Sequence, residues 1–186
     1  MSQVRLLYRP PMHYKEFHDE GNTFSRMEAP FIEKDLYGDI HENTSILCHD
    51  VFIKCSHNGV EGYLLVKRLR EPAKDIHWPI GGRALRGVST EESLRRRALD
   101  ECALTLTDIT YIGVARTFFA SDPFGHGKGT DTLNLVYVAK SKGELKLNNL
   151  HADPLIVNKE NYELLKDKLH QYNTTYLETI LRTDLR

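Results

Sequence analysis

Hydrophobic and polar positions predict a β-hairpin in the first half of the chain. Residues 45–55 (SILCHDVFIKC) and 62–69 (GYLLVKRL) are rich in apolar and β-branched residues, a composition typical of strands. The residues between them include Asn58-Gly59, a strong turn signal. Upstream, apolar residues at positions 31, 32, 36 and 40 recur with a helical period, which predicts a helix over residues 31–40.

The clearest helical pattern covers residues 90–104. It follows a short strand, residues 77–83 (HWPIGGR), that ends in a glycine turn. Ser89 can cap this helix, with Glu92 as the return partner of a capping box. The predicted apolar face consists of Leu94, Ala98, Leu99 and Cys102.

The remaining pattern predicts a second pair of strands and a final helix. The strands are residues 111–120 and 132–139, joined by a glycine-rich loop, and the helix covers residues 159–181. This order predicts an α/β fold, with a mixed sheet between helices on both faces. The length of 186 residues suits one domain, which we place at residues 31–186. Residues 1–30 lack a clean period and are predicted to be an arm that packs on the domain or on a partner subunit.

Composition narrows the class of protein. Apolar residues make up 40% and the formal net charge is −1 without long runs of one sign, so no nucleic-acid surface or membrane anchor is expected. The first twenty residues lack an apolar core, so we expect no signal peptide. The odd number of cysteines, without metal-ligand spacing, predicts reduced, buried thiols and a cytoplasmic protein.

The glycine turn and the charged helix after it are a possible site for a divalent cation. A main-chain carbonyl from the turn and carboxylates from the helix are the hard ligands that Mg²⁺ or Mn²⁺ prefers. A charged helix face is more often simply solvated, so composition alone does not support a site. The spacing of the residues is more informative.

That spacing can be compared with the Nudix signature, G-x5-E-x7-R-E-U-x-E-E-x-G-U, where U is a bulky aliphatic residue. Aligned from residue 82, the chain matches at Gly82, Arg96, Glu101 and Leu104, and Asp100 is a conservative change. Ala98 is aliphatic but small, and the departures are Val88, Arg97 and Ala103. The helix resembles that of the Nudix hydrolases, but it lacks two carboxylates that ordinary members use for their metals.

Within that superfamily the chain is most similar to the GDP-mannose mannosyl hydrolases, over roughly residues 31–166. The segments that carry the resemblance occur in the same order in this chain: residues 31–50, Lys67-Arg68, Trp78, Gly81-Gly82-Arg83, Gly129-Thr130-Asp131 and His151. The resemblance implies a Nudix fold, a homodimer and a Mg²⁺- or Mn²⁺-dependent enzyme. In that family water attacks C1 of the sugar of a nucleotide sugar, with inversion, and a nucleoside diphosphate is released.

The resemblance also implies roles for individual residues. His151 would be the catalytic base, Asp50 would lie near the sugar, and Arg68 and Arg83 would face the diphosphate. Two residues in or after the glycine-rich loop, His126 and Asp131, would contact the substrate. The metal ligands would be the Gly81 carbonyl and Glu101, with Asp100 compensating for a family glutamine that is Leu150 here.

Several residues have structural alternatives. Glu101 lies four residues after Arg97 and could simply pair with it. His151 could be an exposed loop histidine. Asp50 lies within an apolar strand, where a carboxylate is costly to bury unless it is paired. Neighbouring His49 should point to the opposite face of that strand.

Two other functions remain open. An ordinary Nudix pyrophosphatase could use Glu91 or Glu92 in place of the missing carboxylates and would release a sugar phosphate and a nucleoside monophosphate. A Nudix-fold protein could also bind a nucleotide or a protein without catalysis, a possibility favoured by Val88, Arg97 and Leu150. The homodimer is also suggested by apolar residues in the arm (Tyr8, Phe17 and Phe24) that have no periodic face of their own.

If His151 is the base, His151→Gln should lower kcat by about 10²–10⁴-fold, the usual value of general base catalysis. Substrate binding should change little, because the proton moves only on the way to the transition state. The measurement is kcat and substrate Kd for both proteins on a hydrolysed nucleotide sugar. Equal turnover of the variant and the wild type would exclude the role.

Overall fold

The predicted hairpin lies at the centre of a sheet. A computed structural model describes residues 14–17 and 32–183 of the chain. In it β1 (Ile46–His57) and β2 (Val60–Arg68) pair antiparallel, which confirms the hairpin. Asn58 and Gly59 have φ angles of 50° and 77°. Both lie in the left-handed region that a tight hairpin turn requires and that these two residue types accept.

In the described part of the chain, seven strands form one mixed sheet. The others are β3 (His77–Trp78), β4 (Ile80–Arg83), β5 (Thr105–Phe119), β6 (Thr130–Lys142) and β7 (His151–Val157). The main order is β3-β2-β1-β6-β5, while β4 also pairs with β1 and β7 with β2. Among the strand pairs that residues 32–183 form, β1 and β6 run parallel and the others run antiparallel.

Helices cover both faces of this sheet, as the sequence predicted. They are α1 (Lys34–Asn43), α2 (Thr90–Cys102), α3 (Tyr162–Leu165) and α4 (Gln171–Thr183), with a short 3₁₀ turn, Lys166–Lys168, before α4. Leu94 and Ala98 of α2 belong to one buried cluster with Val51. Leu177 of α4 belongs to a second cluster with Phe52. Val51 and Phe52 are adjacent in β1, so their side chains point to opposite faces.

The N-terminus of α2 is capped from two directions. The Glu92 N–H donates to Ser89 Oγ (3.2 Å), as the capping box predicted, but the Glu92 carboxylate pairs with Arg96 (2.7 Å) instead of returning. Glu16 supplies the second cap, because its Oε1 accepts from both the N–H (2.8 Å) and the hydroxyl (2.7 Å) of Thr90. Part of the predicted arm therefore contacts the domain at the start of α2.

The C-terminus of α2 explains a departure from the Nudix signature. Ala103 caps the helix in the left-handed conformation (φ 58°), and its N–H bonds back to Ala98 and Leu99. The signature has glycine here because glycine adopts this conformation without strain. In this chain an alanine takes the same conformation.

Three elements differ from the sequence prediction. The strand expected over residues 77–83 is two short strands, β3 and β4, and Gly81 and Gly82 lie within β4, paired with β1, instead of in a turn. Strand β7 was not predicted, and the helix expected over residues 159–181 is interrupted by the 3₁₀ turn and by extended backbone at Leu169 (φ −90°, ψ 149°). Residues 163–169 are Glu, Leu and Lys apart from Asp167, and those three types are good helix formers. Propensity therefore gives no sign of the break.

The remaining expectations concern the cysteines, membrane-spanning helices and the N-terminal arm. All three cysteines are buried and free, as predicted. No helix within residues 14–17 and 32–183 is long and apolar enough to cross a membrane. Phe17 is 88% exposed, while Tyr8 and Phe24 lie outside the described residues. The homodimer and the boundary between arm and domain stay predictions.

Candidate functional site

A cavity of about 220 Å³ opens beside the parallel strands β1 and β6. Its polar wall is a small hydrogen-bonded network from β5 and β6. The hydroxyls of Thr117 and Thr132 lie 2.6 Å apart, and the Asn134 amide donates to Thr117 Oγ1 (3.1 Å). This network presents side-chain oxygens and an amide of the kind that bind hydroxylated ligands.

The rest of the cavity is aromatic and cationic. Trp78, Phe119 and Tyr37 line it together with Arg68 and Arg83. The Arg83 guanidinium lies 5.2 Å from the centre of the Tyr37 ring, a cation–π distance. Trp78 is packed against Phe119, with ring centres 5.5 Å apart. Flat apolar walls beside two guanidiniums suit a ligand that carries both a ring and an anionic group.

One buried carboxyl faces this cavity. Asp50 is 3% exposed, and its Oδ2 accepts a hydrogen bond from the Tyr172 hydroxyl (2.6 Å). Burial raises the pKa of Asp50 to about 6, although the Tyr172 hydrogen bond and the charge of Arg68 act in the opposite direction. A carboxyl with a pKa near 6 is mostly ionised at neutral pH and can still accept a proton.

Asp50 also explains why residue 81 is glycine. Gly81 is its partner across the β1–β4 pair, and a Cβ at residue 81 would collide with Asp50 Oδ1 and with the His49 carbonyl. Any larger residue would displace the carboxyl from the cavity wall. His49 lies on the opposite face of β1, 2.6 Å from Ser93 Oγ, as its position in the strand predicted.

Glu101 lies beside the cavity in a buried cluster of charged groups. Its side chain is 7% exposed, and it accepts from Arg97 Nη1 at 2.6 Å and is 2.9 Å from His151 Nε2. Arg97 also donates to the Arg83 carbonyl (3.2 Å). The guanidinium packs against Gly82, since a Cβ there would lie 3.1 Å from Arg97 Cζ. The ion pair between Glu101 and Arg97, which the sequence offered as an alternative, is therefore present in the structure.

These partners set the charge of Glu101. Burial alone would raise its pKa, but the hydrogen bond with His151 and the charge of Arg97 outweigh burial and lower the pKa below the ordinary value. The carboxylate is therefore ionised and already neutralised by its neighbours. Two residues of the cavity lining connect it to this cluster. Gly82 is in contact with Arg97, and Arg68 is subject to the charge of Glu101.

The residues predicted to hold a metal do not fit one. A magnesium site needs several free oxygen ligands. Here both oxygens of Glu101 are engaged, by Arg97 and His151, and Asp100 is exposed to solvent. Among the described residues no group of three acidic, histidine or cysteine side chains is arranged to hold a metal ion.

The structure brings some predicted site residues together and separates others. Asp50, Arg68 and Arg83 line the same cavity, whereas His151 lies in the cluster beside it. Asp131 forms a bidentate pair with Arg116 (3.0 and 2.7 Å) outside the cavity. His126, 2.8 Å from His41 Nδ1, is likewise not part of the lining. The catalytic and binding roles of all these residues stay predictions.

Sequence reasoning missed several residues of the site. Tyr172 comes from α4 and lies 122 positions from Asp50, with no local signal for the contact. Arg97 was noted as a departure from a signature and as a possible partner of Glu101, but not as part of the ligand site. A usable signal did exist in β6, where Thr130, Thr132 and Asn134 alternate with residues of the other face and all line the cavity.

No protein-family model matches the chain, and no curated sequence is significantly similar to it. Solved structures are similar. The Nudix domain of Shewanella oneidensis NrtR, complexed with ADP ribose, aligns with a TM-score of 0.58 at 16% identity over 77% of this chain and 90% of that one. This chain has the Nudix fold.

Other Nudix structures support the same assignment. The MutT protein of Methanosarcina mazei Go1 aligns with a TM-score of 0.55 at 17% identity, over 76% of this chain and 96% of that one. A bifunctional NMN adenylyltransferase/ADP ribose pyrophosphatase of Francisella tularensis has the same score at 15% identity, over 80% of this chain and 44% of that one. Identities this low establish the fold and leave the activity to the site.

The buried cluster leads to a prediction about stability. Glu101→Gln should lower the free energy of unfolding by about 3 kcal/mol at neutral pH, because removing one member of a buried ion pair leaves the other charge uncompensated. Glu92→Gln is the matched control, since its ion pair with Arg96 is about half exposed and should contribute less than about 1 kcal/mol. Urea unfolding of both variants measures the difference. Equal losses would contradict the buried pairing.

Proposed function

We propose that this protein binds a nucleotide sugar in the cavity and hydrolyses it at the glycosyl carbon, releasing a nucleoside diphosphate. One observation carries the proposal: a single cavity combines two guanidiniums, a polar wall and a buried carboxyl with a pKa of about 6. These are the groups needed to hold a diphosphate, orient a sugar and activate a water molecule.

The arginines are the proposed diphosphate site. Guanidiniums bind phosphate oxygens through two parallel hydrogen bonds, and Arg68 and Arg83 both face the cavity. Arg68 Nε is buried and has no hydrogen-bond partner among the described residues. A buried donor without an acceptor is costly, and a phosphate oxygen would satisfy it.

The size of the cavity indicates which part of the substrate lies inside. A volume of about 220 Å³ is below the roughly 300–1,000 Å³ of pockets that enclose a whole ligand. It accommodates a sugar and the adjoining phosphate, with the sugar against Thr132 and Asn134. The nucleobase of the substrate then extends toward the surface, past the aromatic ring of Tyr37.

The proposed reaction uses Asp50 as the base. The carboxylate takes a proton from water as the water oxygen bonds to C1 of the sugar. The bond from C1 to the diphosphate oxygen breaks, and its electron pair leaves with the diphosphate beside Arg68 and Arg83. Since a diphosphate is a good leaving group, no acid is required. Because the residues predicted to hold a metal do not fit one, the proposed reaction uses no metal.

This proposal differs from the sequence-based expectation that His151 is the base. Its Nε2 is bonded to Glu101, and the ring is buried beside the cavity and not in its wall. We therefore give His151 a positioning role, through Glu101 and Arg97. The pyrophosphatase alternative is favoured by similar structures such as the bifunctional NMN adenylyltransferase/ADP ribose pyrophosphatase. Its proposed carboxylates, Glu91 and Glu92, form ion pairs with Arg95 and Arg96 away from the cavity.

A second function is favoured by the same cluster. Glu101 is the remaining signature carboxylate that points inward, and it is neutralised by Arg97 and His151. A site of this kind could bind a nucleotide sugar and not turn it over. If calorimetry shows that a nucleotide sugar binds and no product forms, binding without hydrolysis is the function.

The test is a panel of nucleotide sugars with the products identified by chromatography. We expect free sugar and a nucleoside diphosphate from the wild type, and a loss of turnover of about 10²–10⁴-fold in Asp50→Asn. Asp100→Asn is the matched control, because Asp100 is an exposed carboxyl that does not line the cavity. A sugar phosphate with a nucleoside monophosphate would instead show a pyrophosphatase.

The acidity of Asp50 predicts the pH dependence. A base must be ionised to act, so kcat/KM should be level above the pKa of about 6 and fall about tenfold per pH unit below it. The acidic limb should persist in His151→Gln. A limb that disappears in that variant would return the base role to His151.

A further inference from the structure

The position of Arg97 suggests how the site binds anions. Its guanidinium lies between the Glu101 carboxylate, the Arg83 carbonyl and the backbone of Gly82. A carboxylate and a main-chain carbonyl beside the glycines are also the kinds of ligand that a divalent cation would use in the arrangement described from the sequence. In this chain a permanently charged side chain occupies the place between them.

A second observation connects this guanidinium with a ligand. Arg97 Nε and Arg68 Nε are both buried and have no hydrogen-bond partner among the described residues. The pKa of Arg68 is lowered, mainly by burial and in part by the charge of Arg97. The two guanidiniums therefore repel each other. Two like charges with unsatisfied donors, held close together, are stabilised when an anion binds near them.

We infer that the Arg97 guanidinium is the resident cation of this site, and that it supports diphosphate binding without a divalent metal. Glu101, itself bonded to His151, holds the guanidinium on one side, and the Arg83 carbonyl holds it on the other. The inference deepens the proposed function, on which its nucleotide substrate rests. The anion site itself can be tested separately from that substrate.

The probe is inorganic pyrophosphate, measured by calorimetry with excess EDTA and again with excess Mg²⁺. Wild-type binding should not strengthen in Mg²⁺. Its Kd should stay similar or rise, because Mg²⁺ also complexes pyrophosphate oxygens in solution. Arg97→Glu removes the guanidinium and places a second carboxylate beside Glu101. Its binding should weaken at least about tenfold in EDTA and recover in Mg²⁺.

Two further variants make the result specific. Arg96→Glu carries the same change of charge on the same helix, but Arg96 is exposed and pairs with Glu92, so it should behave like the wild type in both buffers. Arg97→Gln adds no carboxylate, so it should lose affinity in EDTA and not regain it in Mg²⁺. Circular dichroism checks that each variant is folded. If Arg97→Glu does not fold, the loss of affinity in Arg97→Gln is the test.

Each outcome decides the inference. Wild-type binding that strengthens about tenfold or more with Mg²⁺ would overturn it, as would an Arg97→Gln variant that binds normally in EDTA. No pyrophosphate binding in either buffer would also overturn it. Metal-independent pyrophosphate binding together with inactivity on every nucleotide sugar would support the inference while removing the proposed function.

Discussion

The site depends on the burial of one carboxylate, that of Glu101. A buried charge is stable only when it is paired and hydrogen-bonded, and Glu101 obtains both from Arg97 and His151. The three residues come from α2 and β7, and Arg97 reaches on to the carbonyl of Arg83 in β4. The ion pairs therefore join three separate segments at the edge of the cavity.

Backbone bonds reinforce this junction. The end of α2 accepts from the segment that leads into β7, with Asn148 N–H donating to the Glu101 carbonyl (3.0 Å) and Lys146 N–H to the Cys102 carbonyl (3.1 Å). The chain is thus already beside α2 when it reaches His151. This placement, more than any property of the imidazole, puts the ring against Glu101 and keeps it out of the cavity wall.

The other face of the site depends on a close approach of backbone and carboxyl. Because Gly81 has no side chain, β4 can pair directly with β1 at Asp50, and the carboxyl remains in the wall of the cavity. Tyr172 then fixes its orientation from α4 and stacks on Trp78, with ring centres 4.5 Å apart. Burial still raises the pKa of this carboxyl, because the Tyr172 hydrogen bond and the charges of Arg68 and Arg97 do not offset the loss of water.

The sequence could predict those elements whose own residues determine them. The hairpin around Asn58-Gly59 and the capped helix α2 carry strong local periods and turn chemistry, and the structure contains both. Strand β7 and the break before α4 are set by tertiary contacts, so propensity does not show them. The same division holds within the site. Asp50 could be suspected because it is a carboxyl in an apolar strand, whereas its partner Tyr172 depends on how α4 packs.

The charges of the site explain why replacing a carboxylate by Arg97 is physically consistent. A site built from several carboxylates is strongly negative until a metal binds, and it repels a diphosphate by itself. Here the guanidiniums of Arg68, Arg83 and Arg97 stand against the carboxylates of Asp50, Glu71 and Glu101, so the charges balance when all are ionised. We expect such a site to admit a diphosphate without an added ion, because it has no excess negative charge to repel one. The same substitution that removes a metal ligand therefore supplies the charge that the metal would have brought.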